Sequence, residues 1–181
     1  MENSKKQKTI SIVIYAILFS IIIILTTFLI WITWINDMYK EYTNPYNENC
    51  YIVEHDKNSI TITKYNKNNS QIYTVSKVNY ENGKSIIEEN KWYYKNKSIA
   101  KDIYEDMINP KDNSVTYAQN IKLNGNAVEF TYDLTSNISY DSEEVKEKVE
   151  SFTTNEEIIN YALEEGKENN FWFSNDYKRI D

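Results

Sequence analysis

The sequence predicts an α+β protein: an N-terminal transmembrane helix, then an extracytoplasmic domain with an antiparallel β-meander, a helix, a β-hairpin and two C-terminal helices. Three observations carry this. Ile10 to Ile35 is an apolar run without a charge, Gly or Pro. From Cys50 onward the apolar residues alternate with polar ones, the period of a strand with one buried face. Two Asn-Gly pairs, Asn82-Gly83 and Asn124-Gly125, stand between such alternating segments, where tight hairpin turns belong.

The apolar run divides the chain into a tail (1–9), an anchor (10–35), a linker (36–49) and an exported domain (50–181). As a helix the run would extend about 39 Å, longer than the roughly 30 Å hydrocarbon core, so it tilts or continues beyond the bilayer. Trp31, Trp34 and Tyr39 lie where an interfacial aromatic belt belongs. Lys5, Lys6 and Lys8 precede the run, while Asp37, Lys40 and Glu41 follow it. The positive-inside rule therefore expects a cytoplasmic N-terminus and an outer C-terminal domain in a single-pass protein of the cell membrane. The run is too long for the apolar core of a cleaved signal peptide, and Thr33-Trp34-Ile35-Asn36 offers no small-residue cleavage site. An uncleaved signal anchor is the expectation.

Pro45 and the Asn-rich stretch around it read as linker. Cys50 to His55, Ser59 to Tyr65, Gln71 to Tyr80 and Ser85 to Tyr94 then read as four strands of a meander, with Asn82-Gly83 as a type I′ turn. Over Lys97 to Asn109 the period changes. Ile99, Ala100, Ile103 and Met107 share one helical face, and Pro110 stops the helix. Val115 to Leu123 and Val128 to Tyr132 alternate on either side of Asn124-Gly125, the second hairpin. Ser142 to Phe152 follows as a helix. Thr154 with Glu157 forms a capping box for the last helix, whose C-terminal cap is read as Gly166.

Composition limits the chemistry. The chain has 181 residues and a net charge of -7. Its exported part holds 26 acidic and 17 basic residues, and 141–168 alone contributes about -7 of that balance. Arg179 is its one arginine, which disfavours phosphate or nucleic-acid recognition by guanidinium forks. One Cys and one His supply too few ligands for a four-ligand zinc site, and three scattered Gly leave none for a phosphate-cradling loop. On one strand Cys50 and His55 would face opposite ways about 16 Å apart, which rules out a thiolate–imidazole pair. Adjacent carboxylates such as Glu88-Glu89, Glu143-Glu144 and Glu164-Glu165 do not face each other on either a strand or a helix. No catalytic residue, cofactor-binding residue or metal ligand is expected.

The expected function is therefore a non-enzymatic, membrane-anchored module that binds another membrane or envelope protein or serves as an accessory or assembly factor. The candidate contacts are the aromatics Trp92, Tyr94, Phe171, Trp172 and Phe173 and the acidic Glu143, Glu147 and Glu164. An unpaired Cys50 outside the cell would allow an intermolecular disulfide. The other expectations are an exported domain that binds a small ligand or inhibits an enzyme, and, less favoured, an Asp/Glu-dependent hydrolase. A long apolar helix followed by a β-rich head resembles the architecture of pilin-like proteins, which implies a structural subunit. Pilins usually carry a Glu near the start of the apolar run; here Lys-Gln-Lys-Thr precedes it, and no acid lies inside. The excess of Asn, Ile, Lys and Tyr matches an AT-rich bacterial source.

Overall fold

Thirty-seven consecutive residues, Glu2–Met38, form one helix, α1, in a computed structural model that describes residues 2–67, 69–110, 117–135, 142–168 and 178–180. The chain divides into two units, Met1–Lys40 and Glu41–Asp181. The first is α1, which begins before the apolar run and ends after it. Its Tyr15–Met38 part has a mean hydropathy of 2.6 over its most apolar window, and none of that window is buried in the protein. It is long and apolar enough to cross a membrane. Its Ser and Thr hydroxyls are satisfied within the helix: Ser20 donates to the Ala16 carbonyl at 2.8 Å, Thr26 to Ile22 at 2.9 Å and Thr33 to Ile30 at 2.8 Å. A polar group placed in lipid needs such a partner. Trp31 and Trp34 are exposed along its C-terminal part, and Tyr39 just after its end.

The second unit is built on a seven-stranded sheet. Its strands are β1 (Cys50–His55), β2 (Ser59–Tyr65), β3 (Gln71–Glu81), β4 (Lys84–Tyr94), β5 (Gln119–Asn124), β6 (Ala127–Asp133) and β7 (Lys178–Ile180). The order is β5-β6-β4-β3-β2-β1-β7. β1 to β4 form the expected antiparallel meander, and β6 pairs with β4, fusing meander and hairpin into one sheet. β7 has no counterpart in the sequence reading. It pairs parallel to β1, with Cys50 opposite Lys178 and Ile52 opposite Ile180. Val115 and the start of the expected hairpin lie outside the described residues, and β5 itself begins at Gln119.

The two Asn-Gly pairs make different turns. Glu81 pairs with Lys84, and both central residues have positive φ, Asn82 at 51° and Gly83 at 74°, as type I′ requires. In the second hairpin Asn124 pairs with Ala127, so the central residues are Gly125 and Asn126. Only Gly125 is left-handed there, with φ 62°, which is the type II′ pattern.

Three helices complete the unit: α2 (Lys97–Ile108), α3 (Glu143–Ser151) and α4 (Asn155–Glu168). Each start is fixed by a side chain. Asn96 accepts from Ile99 N at 3.0 Å, and Ser142 accepts from Val145 N at 3.2 Å. At α4 the Thr154 hydroxyl accepts from Glu157 N at 3.3 Å while the Glu157 carboxylate accepts from Thr154 N at 3.0 Å, the expected capping box. Those N–H donors hold the Glu157 carboxyl below its ordinary pKa, Thr153 N first and Thr154 N second. The reading of Gly166 as a cap is corrected. α4 continues to Glu168, and Gly166 is absent from the left-handed glycines. The helix-forming residues around it outweigh one glycine's cost of about 1 kcal/mol.

The register assigns each side chain to a face of the sheet. One face carries Val53, Ile60, Ile62, Val78 and Tyr80 from β1–β3, and Trp92, Tyr94, Val128, Phe130 and Tyr132 from β4 and β6. Both hydrophobic clusters stand on this face. Ile158 and Ile159 of α4, with Val149 and Phe152, pack on Ile60 and Tyr80. Ala100, Ile99, Ile103 and Met107 of α2 pack on Tyr94, Val128 and Phe130. Between the clusters the same face bears Ser76 and the buried Asn90, and the Ser76 hydroxyl donates to Asn90 Oδ1 at 2.6 Å.

Candidate functional site

All described helix packing in the second unit falls on one side of the sheet, so the opposite side is the candidate site. Strand alternation places Glu54, Thr61, Thr63, Tyr65, Tyr73, Val75, Lys77, Asn79, Ile87, Glu89, Lys91, Tyr93, Glu129 and Thr131 there. Part of this side is a hollow of about 480 Å³, whose lining includes Thr61, Val75, Lys77, Glu89, Lys122 and Thr131.

The side has two chemical halves. One is a tyrosine ladder crossing three strands. Tyr73 and Tyr93 stack with centroids 4.1 Å apart and planes at 17°, Tyr65 lies 5.2 Å from Tyr73, and Tyr46 meets Tyr65 edge-on at 4.8 Å. Burial, and then the neighbouring Tyr93 phenol, push the Tyr73 phenol far above its ordinary pKa. Burial also raises Tyr65. Tyr65 and Tyr73 therefore stay protonated and neutral through physiological pH within a run of packed rings.

The other half is polar and internally paired. Lys91 lies 2.6 Å from Glu129, its direct cross-strand partner. That contact holds the Glu129 carboxyl below its ordinary value and raises Lys91. Asn79 Nδ2 donates to Glu89 at 2.8 Å, and Asn120 Nδ2 donates to the Thr131 hydroxyl at 3.1 Å. Half-exposed pairs of this kind contribute at most about 1 kcal/mol each, so they arrange the surface more than they hold the fold. Glu88 and Glu89 occupy opposite faces by the same alternation, which separates their carboxylates.

The structure rearranges the expected contact residues. Tyr94 is only 4% exposed, packed beneath α2, and Trp92 stands edge-on to Phe130 at 4.7 Å on that same helix-covered face. Both are withdrawn as surface contacts. They share strand parity, so the partner that reaches the open side is Tyr93, between them. Phe171, Trp172 and Phe173 lie outside the described residues. Glu143, Glu147 and Glu164 are exposed on α3 and α4, with Glu143 2.9 Å from Lys146.

Cys50 is also corrected. Its side chain has no exposed surface and lies beside Tyr65 in the β1–β2 ladder. A disulfide to another protein would require the fold to open. The thiol of the intact full-length protein should accordingly react with a maleimide at least about 100-fold more slowly than in denaturant, read by mass shift. Equal rates would restore the intermolecular bond as a candidate.

A second hollow of about 510 Å³ lies among Glu41, Asn44, Asn66, Lys67, Ser70 and Lys95. Its polar groups are largely engaged in joining loops: Tyr42 N donates to the Lys95 carbonyl at 2.7 Å, Lys95 N to Ser70 at 2.7 Å, and Asn66 Nδ2 to Gln71 at 3.1 Å. His55 is exposed at the end of β1, and among the described residues no three His, Cys, Asp or Glu side chains are gathered to hold a metal. In comparisons with known proteins the chain matches no family model, no curated protein and no solved structure.

Proposed function

We propose that this chain is a non-enzymatic, single-pass module of a cell envelope that binds another membrane or envelope protein through the helix-free side of its sheet. The observation that carries the reading is the asymmetry of the sheet: two hydrophobic clusters and three helices occupy one side. The other displays neutral tyrosines beside amides, hydroxyls and internally paired charges. Tyr-rich, polar, charge-compensated surfaces suit protein recognition, because rigid aromatic rings give contact area at low entropic cost. Lys5, Lys6 and Lys8 before the apolar run support a cytoplasmic N-terminus, and Trp31, Trp34 and Tyr39 support an outer interfacial belt.

Photo-crosslinking residues at Lys77 and Glu89, in the full-length protein in its own membrane, should capture one recurrent envelope protein. The same probe at Lys101 of α2 should not capture it. Equal capture from both sides, or none from the open side, would defeat this reading. Protease added outside intact protoplasts should remove the domain and leave an N-terminal tag; protection of the domain would reverse the proposed orientation.

A further inference from the structure

The two edges of the sheet are treated differently. The outer edge of β1 is covered by β7. β5, at the other end, pairs only with β6 among the described residues. An uncovered strand edge presents a row of backbone donors and acceptors that only another extended chain can match.

The side chains at this edge are unsatisfied in the same sense. Among the described residues of the second unit, the exposed large hydrophobics are Tyr46, Ile108, Tyr117 and Leu123. Three of the four belong to this end: Ile108 closes α2, Tyr117 leads into β5 and Leu123 is within it. Ile121 and Leu123 lie on the helix side, where Ile121 joins the cluster of Tyr94, Val128 and Phe130. A strand added beside β5 with apolar residues at alternate places would extend that cluster. On the opposite side Lys122 stands across from Glu129, but Glu129 is held at 2.6 Å by Lys91. A carboxylate on the incoming strand next to Lys122 would complete the pairing.

We propose that β5 accepts an extended strand of a different protein by β-augmentation, with apolar residues facing α2 and an acidic residue beside Lys122. A second copy of this chain fits poorly. Directly opposed antiparallel residues share a face, so the axis of a symmetric β5 pair passes through a residue. Centred on Lys122, the pair sets Lys122 against Lys122. Centred on Ile121, it brings the bulged Asn120, with its left-handed φ of 54°, into the ladder. This edge borders the open side proposed above, with Lys122 common to both.

The test uses the full-length protein in nanodiscs and a fluorescent peptide of sequence AVEFTYD, the Ala127–Asp133 segment, which alternates Val, Phe and Tyr with a Glu. Saturable binding by anisotropy is expected, with a scrambled peptide roughly tenfold weaker. Asn124 and Ala127 close a two-residue hairpin, so the Lys122 backbone groups point toward β6 and those of Leu123 point outward. Leu123→Pro should therefore abolish binding, and circular dichroism shows whether the fold survives. Lys122→Glu, at an exposed site, should weaken binding roughly fivefold, and a peptide with Lys in place of its Glu should recover it. Lys57→Glu, in the exposed turn between β1 and β2, should change nothing. Absence of saturable binding, or binding indifferent to both Leu123→Pro and Lys122→Glu, would overturn the proposal.

Discussion

Gly83→Ala should cost about 3 kcal/mol or more of stability and lower the melting temperature by about 10 °C, the largest effect expected of any single methyl group added to this protein. Two terms combine. Gly83 has φ 74°, where a Cβ carries a steric penalty of about 1–2 kcal/mol. A Cβ built there would also lie 2.6 Å from the Phe152 carbonyl oxygen and 2.9 Å from Thr153 N, both backbone atoms that cannot turn aside. Those atoms belong to the connection between α3 and α4, so the substitution pushes that connection off the β3–β4 turn. Gly125→Ala is the control. It shares the left-handed backbone at φ 62° but has nothing within 4 Å of the added atom, so about 1 kcal/mol is expected. Chemical denaturation of both variants measures the difference. Equal losses would mean that the α3–α4 connection does not rest on the turn.

The contact at Gly83 also fixes the entry to α4. Asn155 Oδ1 accepts from Gly83 N at 3.1 Å, while its Nδ2 donates to the Tyr80 carbonyl at 3.0 Å and to Asn58 Oδ1 at 2.8 Å. One amide thus joins the start of α4 to two separate turns of the sheet. Nothing in the local sequence announces this. Asn155 follows a capping box and reads there as one more residue favoured at a helix start.

That contrast marks how much of the structure was legible from the residues. Signals that act over a few positions were faithful: the alternation in Ser59–Tyr65, the capping box at Thr154 and Glu157, and the stop at Pro110 each correspond to an element boundary within a residue or two. Signals that depend on partners distant in sequence were not. Asn-Gly occurs twice, yet the pairing of Glu81 with Lys84 makes one turn type I′ and that of Asn124 with Ala127 makes the other type II′. β7 is three residues long and pairs across more than a hundred positions, too short for any period to show. Two of the candidate contacts, Trp92 and Tyr94, fall on the helix side for a related reason. Trp92, Tyr93 and Tyr94 announce a face only by alternation, and which face becomes covered is decided by α2, through Ala100 and Ile103, packing on Tyr94 and its neighbours. Of the expected aromatics, Tyr94 is buried and Trp92 half-buried on the side that α2 covers, while Phe171, Trp172 and Phe173 lie outside the described residues.

Because the two clusters on one side of the sheet are separated by the polar Ser76–Asn90 pair, a substitution in one should leave the other largely intact at first. Ile60 is the clearest place to see this. It has no exposed surface and sits with Tyr80, Ile158 and Ile159, where β2 and β3 meet α4. Ile60→Ala should cost about 2–5 kcal/mol through lost transfer energy and an incompletely filled cavity. Val128, equally buried, is in the other cluster beneath α2, and Ser76 and Asn90 lie on the sheet between the two groups. Val128→Ala should cost less per site, about 1–3 kcal/mol, since fewer methylenes are removed. The double variant should lose about the sum, because residues without shared partners act nearly additively. Amide hydrogen exchange gives the sharper reading. Ile60→Ala should raise exchange first in α4 and β2 while α2 and β6 keep their protection; Val128→Ala should do the reverse. Simultaneous loss of protection across both groups in each variant would show that the polar seam at Ser76 and Asn90 couples the clusters into one cooperative core.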